Sequence, residues 1–570
     1  MEDSEKRFES DIESYLLNEG GYVKGNLDTY DKKRAIDMPV LISFLEKTQP
    51  KKWQRFKNVH GANAENQLYN IFQQNVAQMG LIHVLRNKVK DNGIELKFAY
   101  FAPASSLNED LVEKYNQNIL TCTRQFSYTD NNHNTIDMVL SLNGIPVVAL
   151  ELKNQFKGQT VENGMKQWRE DRDPKEFIFW FNNRILCYFA ADLDNVYMST
   201  ELKGDSTYFL PFNQGSNGAG EVGDGGNPAN PDGYPTSYLW EKVLRRDMLL
   251  AILQRYISRE EKTTISIKNG KQVSSTSVKI IFPRYHQLNV VERLVEDTRK
   301  SKEGTNFLIQ HSAGSGKSNS IAWLTYRLAN LHDEDDNEMF QSVFVVTDRR
   351  ILNKQLQDTI LGFEHTTGQV VTIENKDTSD KLLEAINNKK KIIITTLHRF
   401  PLVYKELDNH AGKRFAIIVD EAHSSQSGKS AEKLKAALAD TDEALKEMAE
   451  IEERSEAELK DEMDVMLETL LTQGKHKNQY FYAFTATPKP KTLQTFGIQC
   501  GVDKEGKPMY SAYHHYSMRQ AIDEGFILNV LEFFTPVDTS YEILKNIKED
   551  PELEEPPAAR AIRAYHDNHQ

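Results

Sequence analysis

Between residues 305 and 487, short unbroken apolar runs alternate with amphipathic stretches. Asn306-Phe307-Leu308-Ile309-Gln310, Ile392-Ile393-Ile394-Thr395-Thr396-Leu397 and Arg414-Phe415-Ala416-Ile417-Ile418-Val419 read as buried strands. A helix (IAWLTYRLANL) starts from about Asn319. This strand–helix rhythm predicts a mostly parallel sheet with helices on both faces. The N-terminal third differs: the segment from Thr135 to Lys153 holds two apolar strands that meet at Asn143-Gly144, a hairpin signal.

Turn-forming residues divide the chain. Residues 214–236 (QGSNGAGEVGDGGNPANPDGYPT) read as a mobile glycine-rich linker that closes an N-terminal domain at 1–240. A helical connector (YLWEKVLRRDMLLAILQRYI) and a strand pair near 263–281 lead into the strand–helix domain, 241–515. Residues 431–475 form a helix-rich acidic insertion within it, and 516–570 a connector into a further, incomplete domain. No internal repeat is visible.

The strand at 306–310 runs into His311-Ser312-Ala313-Gly314-Ser315-Gly316-Lys317-Ser318 and then the helix. Gly314 and Gly316 let backbone N–H groups approach an anion, helped by Ser315 and by the positive end of the helix. Lys317 would reach the β/γ-phosphates, and the Ser318 hydroxyl would ligate Mg²⁺. The strict pattern has glycine where His311 stands. The strand at 414–419 ends in Asp420-Glu421-Ala422-His423. Chemistry in such sheets gathers at the carboxyl ends of strands. Asp420 would hold Mg²⁺ and Glu421 would orient the attacking water. The segments together predict binding and hydrolysis of a nucleoside triphosphate.

Further segments carry a resemblance. Phe282-Pro283-Arg284-Tyr285-His286-Gln287 precedes the loop, Thr347-Asp348-Arg349-Arg350-Ile351-Leu352-Asn353-Lys354-Gln355 follows the next strand, and Thr485-Ala486-Thr487-Pro488 follows the acidic pair. In order and content these segments resemble the first RecA-like motor domain of a superfamily 2 ATPase. The resemblance implies that Gln287 reads adenine, that His423 belongs to the nucleotide site, that 347–355 and Thr396 touch DNA, and that Thr485 and Thr487 couple hydrolysis to motion.

The hairpin carries separate chemistry. Glu151 and Lys153, two apart, share a face of the second strand and interrupt a buried run. Asp137 and Glu151 suit the hard cation Mg²⁺, and Lys153 suits orientation of a nucleophile. A regular two-residue turn would set Asp137 opposite Leu150, pointing away from Glu151. The expectation is therefore a three-residue loop or a bulge, with Gly144 in the left-handed region. The pattern resembles the Asp…Glu-x-Lys core of restriction-endonuclease-like (PD-(D/E)xK) domains. By that resemblance Gln167 is the glutamine on the following helix, although Asp171 replaces the usual tyrosine four residues on. Glu65 is a weaker acidic candidate on an amphipathic helix.

A nuclease hairpin followed by such a motor resembles the restriction subunit of type I restriction-modification enzymes. Phe98-Ala99-Tyr100-Phe101-Ala102-Pro103, Thr207-Tyr208-Phe209-Leu210-Pro211-Phe212-Asn213 and Thr236-Ser237-Tyr238-Leu239-Trp240 match that family's wording. The resemblance implies Mg²⁺-dependent cleavage of double-stranded DNA, ATP-driven translocation, and methyltransferase and specificity subunits as partners. Two other readings are a repair or recombination nuclease-helicase without a methyltransferase partner, and a motor or scaffold that does not cleave.

Composition sets limits. The 39% hydrophobic and 27% charged fractions are globular values, and 570 residues exceed one core. Cys122, Cys187 and Cys500 have neither metal nor disulfide spacing, fitting a reducing cytoplasm. No apolar run approaches the roughly 20 residues that span a bilayer, so no membrane partner is expected. The net charge of −13 sits awkwardly with DNA binding, but 431–475 holds much of the acidic excess. The basic clusters lie elsewhere, at Lys51-Lys52-Trp53-Gln54-Arg55-Phe56-Lys57, Arg86-Asn87-Lys88-Val89-Lys90 and Arg349-Arg350. Aromatics in the first would suit a groove that tracks a DNA backbone. The second motor domain and its arginine fingers are expected beyond this chain, so weak ATP·Mg²⁺ binding and little hydrolysis are expected of these 570 residues.

Overall fold

Phe8, Ile12 and Leu16 recur four residues apart, and helix α1 (Ser4–Asn18) buries all three. The same logic orders α2 (Pro50–His60), where Trp53 and Phe56 face the core while Lys51, Lys52 and Arg55 stay exposed. The aromatics of this basic cluster are therefore core residues and line no groove. Glu65 lies on the solvent face of α3 (Ala64–Met79). The computed structural model describes residues 4–105, 107–154, 158–268, 271–347, 356–361, 368–373, 377, 379–396, 412–421 and 478–529. The chain divides into two units, Met1–Glu524 and Gly525–Gln570, and both large sheets belong to the first.

The first sheet has seven strands: β1 (Val23–Lys24), β2 (Leu120–Ser127), β3 (Thr135–Leu142), β4 (Ile145–Leu152), β5 (Cys187–Ala191), β6 (Val196–Ser199) and β7 (Leu210–Pro211), in that spatial order. Strands β2, β3 and β4 are antiparallel, whereas β4 and β5 are parallel. A parallel pair needs a crossover, and helix α4 (Val161–Glu170) lies within it. Every residue of β4 is buried, which is why its sequence is nearly continuous in apolar residues.

A two-stranded antiparallel ribbon, β8 (Ser258–Lys268) and β9 (Lys271–Ile281), precedes the second sheet. That sheet contains β10 (Asn306–His311), β11 (Ser342–Thr347), β12 (Val370–Thr372), β13 (Ile392–Thr396), β14 (Phe415–Val419), β15 (Gln479–Thr485) and β16 (His514–Tyr516). All pairs are parallel, in the order β12-β13-β11-β14-β15-β10-β16. The architecture is the α/β arrangement that the apolar rhythm predicts. The connections carry β14, β15 and β10 to adjacent places, so their carboxyl ends converge. The acidic insertion at 431–475 lies outside the described residues.

The glycine-rich segment is not a loose linker. Gly215 N–H donates to Gly226 O (2.8 Å) and Ser216 N–H to Asp224 O (2.9 Å), folding the loop on itself. Its tip is pinned to the edge of the second sheet: His515 N–H donates to Gly220 O (2.8 Å) and Ser517 Oγ to Gly223 O (2.7 Å). Arg519 pairs with Asp224 at 2.7 Å. Glycine is required at 220, where φ is +84° and a Cβ would lie 2.7 Å from both Arg293 and His514. Small residues here permit close docking, the opposite of the freedom their composition suggests.

Candidate active sites

The β3–β4 hairpin has a two-residue turn and, beyond it, a bulge. Asn143 (φ +51°) and Gly144 (φ +82°) are both left-handed, as the tight hairpin turn requires. The turn is buried rather than exposed. Asn143 Oδ1 accepts from Ile119 N–H (2.7 Å) and its amide donates to Phe98 O (2.9 Å), while Asp37 N–H donates to Gly144 O (2.8 Å). Leu142 pairs with Ile145 and Ser141 with Pro146, but Leu140 pairs with Val148 and Met138 with Leu150. Val147 is the extra residue, and its carbonyl accepts from Leu186 N–H (2.9 Å). One step further along the shifted register, Asp137 falls beside Glu151 on the same face.

The three expected side chains therefore converge. Leu152 N–H donates to Asp137 Oδ2 (2.7 Å). Lys153 Nζ lies 3.4 Å from Asp137 Oδ2 and 3.8 Å from Glu151 Oε2. Glu151 is wholly enclosed, while Asp137 and Lys153 retain 8% and 6% exposure. Asp137 and Lys153 form one wall of a cleft of about 580 Å³, and Gln167 on α4 lines it too, with Asn163, Lys166 and Asp171. Burial first, then the Asp137 carboxylate, pushes Glu151 well above the ordinary carboxylate range, against the pull of Arg172 and Lys153. Glu151 Oε2 is buried without a hydrogen-bond partner. Among the described residues, no group of three or more His, Cys, Asp or Glu is placed to hold a metal ion.

Two residues of this site escape sequence reasoning. Arg172 donates through Nε (3.1 Å) and Nη2 (2.5 Å) to Glu151 Oε1. Glu9 on α1 is buried and held by Arg124 Nη2 (3.1 Å) and Gln125 Nε2 (3.2 Å). Burial and then Asp137 raise its pKa. The acidic candidate beside Asp137 is thus Glu9, not Glu65. Its only signal is a carboxylate next to the Phe8–Ile12–Leu16 stripe.

At the second site, β10 delivers the chain to the glycine loop, and helix α5 (Lys317–Ala329) begins at once behind Gly316 (φ +76°). Ser318 is its second residue, and Ser315 Oγ is buried without a partner. Lys317 Nζ lies 3.4 Å from Glu421 Oε1 and donates to His311 O (3.4 Å). Asp420 N–H donates to Val346 O (2.9 Å), and Asp420 Oδ1 accepts from Glu421 N–H (3.0 Å). Glu421 has φ +53°, a conformation that costs a non-glycine residue of order 1–3 kcal/mol. His423, residues 348–355 and part of the acidic segment lie outside the described residues. Thr347, Thr396 and Thr485 sit at the ends of β11, β13 and β15, and Thr487 N–H donates to Thr485 Oγ1 (3.2 Å).

The Gln287 amide is bonded to the phosphate loop. Its Oε1 accepts from Arg284 N–H (2.9 Å), and its Nε2 donates to Gly316 O (3.0 Å) and Ser315 O (3.2 Å). With its amide committed to backbone, Gln287 shapes the phosphate loop. His311, in place of the pattern's glycine, turns away from the loop: its Nε2 meets His514 Nδ1 at 2.9 Å on the edge strand β16. Burial, then neighbouring His286, Lys317 and Arg284, holds it well below the ordinary imidazole range, so it stays neutral.

A parallel sheet with a glycine phosphate loop and an acidic strand end defines an ATPase-type α/β domain, and residues 286–444 match the SWI2/SNF2 ATPase family. Residues 40–210 match the type I restriction enzyme R protein N terminus. The chain is 24% identical over 338 residues to a putative type I restriction enzyme MjaVIIIP endonuclease subunit from Methanocaldococcus jannaschii, covering 55% of this chain and 30% of that protein. It is 21% identical over 321 residues to the type I restriction enzyme SsaAORF53P endonuclease subunit of Staphylococcus saprophyticus, again 55% and 30%. The matched part thus spans 30% of the length of these curated relatives. A Sulfolobus solfataricus SWI2/SNF2 ATPase core solved with dsDNA is 15% identical, covers 38% of this chain and 35% of that one, and has a TM-score of 0.23, too slight to carry an argument. The tandem family matches and the curated relatives together support an R subunit of a type I restriction enzyme. No helix among the described residues is long and apolar enough to cross a membrane.

Proposed function

We propose that this chain carries the cutting centre and the first motor domain of a type I restriction subunit. In this reading the N-terminal part, 1–240, is a restriction-endonuclease-like domain that cleaves both DNA strands with Mg²⁺. The part from 241 to 515 is a RecA-like motor that moves duplex DNA with ATP, and a second motor domain follows residue 516. Methyltransferase and specificity subunits supply recognition, and the complex acts in the cytoplasm against unmodified foreign DNA.

The carrying observation is the Val147 bulge, which sets Asp137 and Glu151 side by side with Lys153 at the cleft wall. The buried Glu151 Oε2, which accepts no hydrogen bond, fits a hard divalent cation held by Glu151 and Asp137. Such a cation, when bound, neutralises charge on the phosphate under attack and acidifies water. Lys153, tied to Asp137, is placed to orient the incoming water, and Gln167 lines the path to the cleft. The enclosed position of Glu151 keeps bulk water from competing for its oxygen.

At the second site the backbone of Gly314, Ser315 and Gly316 would cradle the phosphates, with Ser318 and Asp420 toward the accompanying Mg²⁺. ATP supplies the free energy for movement. Lys317, resting on Glu421, is positioned to exchange that carboxylate for phosphate oxygens. The exchange would release Glu421 to orient water.

The test uses the full-length protein with its co-encoded subunits. Lys153→Ala should abolish DNA cleavage while DNA-stimulated ATP hydrolysis continues, and Lys317→Ala should abolish both. Cleavage that survives Lys153→Ala would overturn the assignment of the cutting centre.

A further inference from the structure

Arg172 follows α4 directly and is 98% shielded, an unusual place for a guanidinium unless it is fully engaged. Its Nε and Nη2 both donate to a single oxygen, Glu151 Oε1, at 3.1 and 2.5 Å. Nη2 also donates to Thr135 O (2.7 Å), at the start of the strand that carries Asp137. One planar group thus ties together both carboxylate-bearing strands and the helix that bears Gln167. The consequence for Glu151 is asymmetric. Oε1 is saturated, while Oε2 has no hydrogen bond and faces the Lys153 ammonium at 3.8 Å, on the side where Lys153 also reaches Asp137.

We propose that Arg172 is a positioning residue of the cleavage centre: by occupying Oε1 it fixes the Glu151 carboxylate so that a divalent cation is taken through Oε2 alone. The inference rests on the cleavage reading above and deepens it. Two donors on one rigid guanidinium fix the direction of a carboxylate oxygen more firmly than a single flexible ammonium can. Groups that orient a metal-binding side chain in this way typically affect metal affinity 10–100-fold.

The test is titration of the 570-residue chain with Mn²⁺ alone, without nucleotide or DNA, followed by calorimetry and by the loss of free Mn²⁺ electron-spin signal. The wild type should show a site that Asp137→Asn abolishes. Arg172→Met should weaken that site by about 10–100-fold, and Arg172→Lys should recover part of the loss. Thermal melts in chelator check that each variant folds. Should Arg172→Met fail to fold, Arg172→Lys decides alone, with several-fold weaker binding expected. Arg172 variants that bind Mn²⁺ as tightly as the wild type would overturn the positioning role and leave the cleavage reading intact. A wild type whose Mn²⁺ binding is indifferent to Asp137→Asn would sink both.

Discussion

Replacing Asp137 by asparagine should separate metal binding from folding. The carboxylate sits among opposed charges. Lys153 at 3.4 Å attracts it with about 5 kcal/mol at an effective dielectric constant of about 20. Glu151, on the neighbouring strand at a typical cross-strand separation of about 5 Å, repels it with up to about 3 kcal/mol in its ionised form. Glu9 adds to the repulsion. These terms largely cancel, and an asparagine oxygen can still accept from Leu152 N–H. In chelator, Asp137→Asn should therefore change stability by less than about 2 kcal/mol, within the ordinary range for substitutions. Divalent cation tells the two proteins apart. At a hundred times its dissociation constant, a ligand bound only by the folded state stabilises by about 2.7 kcal/mol, or about 5–10 °C for a lobe of 150–250 residues. The wild type should show that rise with Mn²⁺ in a thermal scan, and Asp137→Asn should show none. Equal shifts in both proteins, or a loss above about 3 kcal/mol in chelator, would refute the reasoning and make Asp137 an ordinary structural partner of Lys153.

Other outcomes follow from the same geometry. Gly144→Ala places a Cβ 2.2 Å from Asp37 O at a φ of +82°, so it should destabilise by about 2–4 kcal/mol in urea titrations; a change below about 0.5 kcal/mol would contradict the buried turn. Gly316→Val, whose Cβ would lie 2.4 Å from Gln287 Nε2, should abolish binding of a fluorescent ATP analogue without unfolding the first sheet. Burial holds His286, His311 and His514 well below the ordinary imidazole range, so below about pH 6.5 the unfolded chain takes up protons that the folded chain refuses. Stability should then fall with acidification by up to about 1.4 kcal/mol per histidine per pH unit. Glu151, raised by burial, contributes with the opposite sign. The clean comparison is His311→Asn against wild type between pH 7.5 and 5.5, where the variant should lose stability less steeply; identical slopes would contradict a neutral His311.

Local pattern made part of this molecule legible and long-range packing hid the rest. The phosphate loop, the acidic strand end and the parallel rhythm could be read because each is a contiguous run whose chemistry is set by nearest neighbours. The hairpin could be read one level further: the two-residue spacing of Glu151 and Lys153, combined with the period of a strand, required a three-residue loop or a bulge before Asp137 could join them. The turn itself proved to be two residues, with the extra residue at Val147 rather than in the loop. Arg172 and Glu9 were illegible because their partners lie 21 residues away and 115 residues away on β2, respectively. Nothing in the local sequence separates them from solvated charges. The glycines of 214–227 misled for a related reason. Glycine confers freedom on an isolated chain, but against Arg293, His514 and Gln520 it permits contact. Likewise, the His311 side chain leaves the loop only because β16 supplies His514 at the sheet edge.

On the proposed reading, Asp137 and Glu151 hold one divalent cation between them. Anomalous diffraction from crystals of this chain grown with Mn²⁺ tests it most directly. A single peak about 2.1–2.3 Å from Glu151 Oε2 and from an oxygen of Asp137, absent in Asp137→Asn, is the predicted result. A difference map with no peak there at saturating Mn²⁺, or with the ion bound elsewhere in the cleft, would contradict it.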